Sequence, residues 1–177
     1  MNVLEAILSR RSVRAYENRP IPSDTYQRLL DSLRFAPSAC NYQPWRFILV
    51  QSEDLRRQVA QGAKNQMWMA DASLIVVACG RPKDAYKYMG GYGNSFEIDI
   101  AIALDHLSLV AVSEGLATCW IGAFDERQIK HLLQIPDDVK PVALMPVGYP
   151  KTPDLNHPAD ESDRKRPDEI FSDDFYA

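Results

Sequence analysis

The segment from Phe96 to Glu114 constrains this chain more than any other. Its residues are apolar almost all the way round a helix, and Asp99, His106 and Ser113, spaced seven apart, make only a narrow polar stripe. A helix of that kind must be covered on most of its sides. In a chain of 177 residues, part of the cover is expected from a second copy of the protein. Gly115 suits the helix C-terminal cap, where a left-handed residue closes the last turn.

The remaining elements follow from period and punctuation. Asn2 with Glu5 predicts a capping box ahead of a helix carrying Leu4, Ile7 and Leu8 on one face and ending in Arg10-Arg11. Ser23 is expected to cap a second helix, with Tyr26, Leu29, Leu30 and Leu33 at helical spacing, that stops before Pro37. Trp45 to Val50 reads as a strand, Glu53 to Gln61 as a helix, and the unbroken apolar run from Ser73 to Cys79 as a strand buried on both faces. Ala117 to Gly122 and Val142 to Val147 supply two more strands, separated by a helix that Asp125 caps and Pro136 closes. Gly90, Gly91 and Gly93 mark a flexible loop, and after Pro150 the chain turns polar and Pro-rich. The order gives a layer of strands with helices on both faces, in a single domain over residues 1–177.

Several function classes are disfavoured. The net charge of -4 opposes general nucleic-acid binding, which needs an excess of Lys and Arg to meet phosphates. The longest apolar stretch is broken by Asp99, Asp105 and His106, so no membrane span is expected. No signal peptide is visible, and Cys40, Cys79 and Cys119 are scattered and odd in number, which suits reduced thiols in the cytoplasm. His106, His131 and His157 show no metal-ligand spacing, and no metal site is expected. The glycine fingerprint of Rossmann dinucleotide sites is absent.

Four segments could carry chemistry. In Arg10-Arg11-Ser12-Val13-Arg14, an extended backbone points Arg10, Ser12 and Arg14 one way and Val13 the other, presenting guanidinium forks and a hydroxyl that suit phosphate. The same arginines also complement a helix C-terminus. The loop Pro37-Ser38-Ala39-Cys40-Asn41-Tyr42-Gln43-Pro44-Trp45 concentrates a hydroxyl and two amides fit for the edge of a planar heterocycle, or simply a turn. The segment from Gly115 to Ala123 ends a strand in Gly122, which permits close backbone approach to a flat ligand. Arg164-Lys165-Arg166 lies in an acidic tail, as a solvated face or as a group reaching back to an anion.

Together, in this order and spacing, these segments resemble the nitroreductase family of FMN-dependent oxidoreductases. Asn65 ahead of Asp71-Ala72-Ser73, and Pro146-Val147-Gly148-Tyr149-Pro150, extend the likeness over nearly the whole chain. The resemblance implies an α+β fold, a mixed and mostly antiparallel sheet flanked by helices, and a homodimer with FMN at the subunit interface. Arg10 and Ser12 would hold the FMN phosphate and ribityl chain with Arg11 nearby, and Arg164 and Arg166 would close on the phosphate. Arg14 and Asn65 would meet the pyrimidine side. Ile121 and Gly122 would pack near the reactive ring, and Pro37, Ser38, Ala39 and Asn41 would come from the other subunit. Residues 150–177 would pack on the partner as a C-terminal extension. Where the family often has a second Ser, this chain has Ala39.

No protein group is expected to act as base or nucleophile, because the flavin carries the chemistry. Electrons would pass from NADH or NADPH to FMN and on to a small-molecule acceptor such as a nitroaromatic or quinone, with ping-pong kinetics. Arg14 would favour the reduced flavin through its charge. Trp68, Tyr86, Tyr88 and Tyr92 are candidates for an acceptor pocket. Other reactions on the same scaffold (dehalogenation, ene reduction, oxidation) and a flavin-handling protein with little turnover stand as alternatives.

Overall fold

A computed structural model describes residues 1–176; Ala177 lies outside the described residues. Five α-helices are seen among them: α1 (Val3–Ser9), α2 (Ser23–Arg34), α3 (Glu53–Gly62), α4 (Phe96–Ser113) and α5 (Glu126–Leu132). The strands are β1 (Tyr16–Glu17), β2 (Trp45–Val50), β3 (Leu74–Gly80), β4 (Ala117–Thr118) and β5 (Lys140–Pro150). The sheet runs β1-β5-β3-β2, β4 also pairs with β5, and every strand pairing is antiparallel. A single parallel bridge joins Ser12 to Thr118.

β3 is buried at every position and lies between β2 and β5. Its alternate side chains serve two layers. Leu74, Val76 and Ala78 pack with α2 and α4, while Ile75, Val77 and Cys79 pack with residues of α3 and α5. In α4, Ile100, Leu104 and Leu107 are fully buried, and each contributes roughly 1.5–3 kcal/mol of hydrophobic stabilisation before entropy is counted. The opposite side of α4 is apolar and only part-covered: Ile98 is 48% exposed, and Ala101, Ile102, Leu109 and Val110 are half-buried.

The capping box of Asn2 and Glu5 forms, and Asp125 caps α5 through the Gln128 N–H. Ser23 does not cap α2. Pro22 takes that place, since its fixed φ of -58° and extended ψ of 148° already set the entry, and Ser23 becomes the first helical residue. Only Ala6 of α1 is buried, so Leu4, Ile7 and Leu8 face outward at 64%, 50% and 48% exposure instead of toward this chain's core. The strand expected over residues 117–122 ends at Thr118, because the chain leaves β5 there and rejoins it only at Ile121. Asp99 is buried rather than part of a solvated stripe.

The C-terminal extension divides in two. The Lys151, Ala159 and Asn156 nitrogens bond Ala15 O, Leu8 O and Leu116 O, so residues 151–159 are fastened to their own chain. The backbone groups left bare by β1 and α1 find partners in this way. Residues 161–176 are exposed throughout, including Ile170, Phe171, Phe175 and Tyr176. Among the described residues no helix is long and apolar enough to cross a membrane, and no metal-ligand cluster is found.

Candidate active site

Arg10 ends α1 as its C-cap with φ -63° and ψ 131°, and from there the chain runs extended. The Val13 N–H donates to Thr118 O at 3.0 Å, Tyr16 Oη donates to Val13 O at 2.8 Å, and Val13 itself is buried. That register leaves Ser12 and Arg14 exposed on the opposite side, as the sequence pattern requires. Behind Val13, Tyr16 stacks on Trp68 with centroids 6.2 Å apart, so Trp68 is committed to this small core. Tyr86 and Tyr88 form their own edge-to-face pair, and Tyr92 is 93% exposed at the tip of the Gly90-Gly91 turn.

The cations gather around this segment. Arg11 donates to the carbonyls of Leu8 and Arg10. Its guanidinium is held below the usual arginine range by burial, and then by the charges of Arg164 and Arg10, with Asp163 opposing. Arg164 is therefore the tail residue whose charge bears on Arg11. Arg166 is engaged instead by Asp168 at 3.1 Å and Glu169 at 3.7 Å. Among the described residues, Arg10, Arg11, Arg14 and Arg164 form no ion pair with a carboxylate. Like charges held together without a counter-ion are unfavourable by themselves, and an anion placed among them relieves the repulsion. Beneath Ser12 lies Cys119, whose thiol is pushed up by burial, while Arg14, the Ser12 hydroxyl and Arg10 pull the other way.

Two loops meet beside this cluster. Ile121 exchanges backbone bonds with Leu144 at 2.9 and 3.0 Å and is buried, but the chain then turns outward. A Cβ added to Gly122 would meet only Trp120 Nε1, at 3.9 Å, so the space over this backbone is open. Gln66 Nε2 donates to Ala63 O at 2.9 Å and Ala123 O at 3.3 Å, and the Asp125 N–H donates to Gly62 O at 2.8 Å. These bonds draw Asn65, exposed and left-handed at φ 58°, to the same edge as Gly122.

Pro37, Ser38, Ala39 and Asn41 are elsewhere. β3 pairs Leu74 with Val147, which also pairs with Thr118 beside Ser12; at its other end Gly80 abuts Pro44. The two motifs thus sit at opposite ends of a seven-residue strand, a span of about 20 Å. Within one chain they do not meet. The loop is also strained: Cys40, Asn41 and Gln43 have φ of 51°, 55° and 51°, and left-handed backbone costs about 1–2 kcal/mol per non-glycine residue. Ser38 Oγ accepts the Gln43 N–H at 2.9 Å, Gln43 Nε2 donates to Asn41 Oδ1 at 3.1 Å, and Asp99 Oδ1 accepts the Ala39 N–H at 2.9 Å. Nothing in the local pattern distinguished Asp99 from a solvated helix residue, since Glu97 offers a second carboxylate in the same first turn.

A profile described as "Nitroreductase family" matches residues 7–91 and 58–149. The chain belongs to the nitroreductase family. A provisionally named NADH dehydrogenase/NAD(P)H nitroreductase of Archaeoglobus fulgidus is 31% identical over 172 residues, covering 94% of this chain and 95% of that protein. An FMN reductase [NAD(P)H] of Bacillus subtilis is 27% identical, over 92% of this chain and 68% of its own length. Among solved structures, a nitroreductase family protein of Clostridium difficile superposes with a TM-score of 0.86 at 28% identity, covering 99% of this chain and 100% of that one. The architecture above is the nitroreductase fold, and the protein is an oxidoreductase of that family.

Proposed function

We propose that this nitroreductase-family enzyme is a homodimer that binds FMN at its subunit interface and moves electrons from NADH or NADPH to a small organic acceptor, such as a nitroaromatic or quinone. The observation that carries the reading is the group of arginines around Ser12 that form no ion pair among the described residues. Its donor set fits a phosphate monoester, and the open backbone at Gly122 fits the approach of a flat ring. The names of the relatives from Bacillus subtilis and Archaeoglobus fulgidus, with FMN and NAD(P)H in them, support the same choice.

FMN, when bound, supplies the two-electron redox chemistry. Around it, Arg10, Arg11, Ser12 and Arg164 hold the phosphate and ribityl chain, with Arg166 at the rim. Arg14 and Asn65 serve the pyrimidine side, and Ile121 and Gly122 the ring. Pro37, Ser38, Ala39 and Asn41 close the site from the partner subunit. The outward apolar side chains of α1 and α4 favour the dimer, since Val3, Leu4, Ile7 and Ile98 are 71%, 64%, 50% and 48% exposed in the single chain. Residues 161–176, with their exposed aromatics, reach to the partner. Unpaired Cys40, Cys79 and Cys119 suit a cytoplasmic setting.

Donor and acceptor use one place in turn, which gives ping-pong kinetics. Initial rates of FMN-loaded protein, with NADH or NADPH varied against a quinone at several fixed levels, are expected to give parallel double-reciprocal lines. Intersecting lines contradict the shared place. Bound FMN with no turnover on quinone or nitroaromatic returns the protein to a flavin-handling role.

A further inference from the structure

One buried carboxylate has been given no role in the function proposed above. Asp99 is 2% exposed and sits in the first turn of α4. Its Oδ2 accepts from Ser95 Oγ at 2.8 Å, and its Oδ1 accepts from the Ala39 N–H at 2.9 Å. Ser95 stands at the N-cap of α4, yet its hydroxyl makes no cap bond and is given to Asp99 instead. The other hydrogen bonds of residues 38–43 found among the described residues are internal: Asn41 N–H to Ser38 O, Tyr42 N–H to Ala39 O, Gln43 N–H to Ser38 Oγ, and Gln43 Nε2 to Asn41. The bond to Asp99 is thus the one that fastens this strained loop to a regular element. Strained backbone persists where its surroundings over-determine it. A carboxylate oriented by a second bond and seated on the most deeply buried helix is suited to that task.

We infer that Asp99 is a positioning residue for FMN: it fixes the backbone of Ala39 so that Ser38, Ala39 and Asn41 present one geometry to the flavin of the partner subunit. This rests on the reading that the loop closes the site across the interface. Asp99 touches neither cofactor nor substrate in this account. It acts through the loop, and its removal is felt as looser and differently oriented FMN rather than as loss of a chemical step.

The test uses the full-length dimer and FMN. FMN dissociation constants from fluorescence quenching, and the visible circular dichroism of bound FMN, are compared for wild type, Asp99→Ala and Asp99→Asn. Val59→Ala, a fully buried position on α3, serves as a stability control. Asp99→Ala is expected to weaken FMN by about tenfold or more and to alter the dichroic band. Asp99→Asn keeps an acceptor for Ala39 and stays within about threefold of wild type. Val59→Ala lowers the melting temperature while leaving affinity and dichroism unchanged. The inference is overturned if folded Asp99→Ala binds FMN with wild-type affinity and dichroism, or if Val59→Ala weakens FMN equally. Should Asp99→Ala not fold, Ser95→Ala carries the test: it frees the carboxylate to turn and is expected to alter the dichroic band, and an unchanged band overturns the inference. Wild-type protein that binds no FMN overturns instead the parent reading on which this one stands.

Discussion

Replacing Arg164 by Ala separates affinity from stability. Arg164 adds its charge to Arg11 and Arg10, and no carboxylate pairs with it among the described residues. Folding therefore gains no ion pair from it, and its loss relieves the repulsion it exerts on Arg11. FMN binding should respond differently. A hydrogen bond to a charged group contributes about 1.5–3 kcal/mol. Arg164 is exposed, so solvent screening reduces this to about 1–2 kcal/mol, or a loss of roughly 5- to 30-fold in FMN affinity. Riboflavin, which has the same ring and no phosphate, should bind wild type and Arg164→Ala alike. The assay is a pair of fluorescence titrations at two salt concentrations, with a thermal melt of the apoprotein. Expected are a loss confined to FMN, a weaker salt dependence in the variant, and a melting temperature that holds or rises. Equal losses for FMN and riboflavin, or an unchanged FMN affinity, would refute the assignment of this cluster to phosphate.

Gly122→Ala should leave the apoprotein's melting temperature within error, because an added Cβ meets only Trp120 Nε1 at 3.9 Å, and yet weaken FMN binding; unchanged binding would show that the ring does not use that space. Arg14→Ala should lower the reduction potential of bound FMN, since Arg14 is a cation without an ion-pair partner among the described residues; spectroelectrochemistry with FMN still bound checks this, and no shift ends the role. Arg28 bonds Glu114 at 2.7 and 2.8 Å, joining the middle of α2 to the end of α4, and this bond holds the Glu114 carboxyl below the usual range. A depressed folded-state value stabilises fully above the ordinary glutamate value of 4.5 and is lost as pH falls through the folded one. The melting-temperature gap between wild type and Glu114→Gln should therefore be widest near neutrality and close in acid; a gap that does not narrow contradicts the linkage.

Much of the fold was legible because short-range chemistry decided it. The unbroken run from Leu74 to Gly80 had to be a central strand, Asn2 with Glu5 had to open a helix, and Gly115 at φ 75° follows the end of α4. Errors came where a longer-range partner intervened. Leu4, Ile7 and Leu8 form an apolar face, but the pattern alone cannot say whose core it enters, and here it points away from this chain. Pro22 displaced Ser23 as cap because a fixed φ competes with a side-chain bond. The site was legible only in part. The cations of Arg10, Arg11 and Arg14 lie within five residues and are easily seen, whereas only the folded chain shows that Asp168 and Glu169 pair with Arg166 and that Arg164 bears on Arg11. Asp99 and Ala39, sixty residues apart, meet only once the chain is folded.

The most direct measurement is the visible absorbance spectrum of the purified protein loaded with FMN, followed during anaerobic titration with NADH and, separately, NADPH. Stoichiometric FMN per subunit whose absorbance bleaches with at least one nicotinamide, and returns on adding a quinone, is the result predicted. Protein that takes up no FMN, or holds FMN that neither nicotinamide bleaches, would contradict the account.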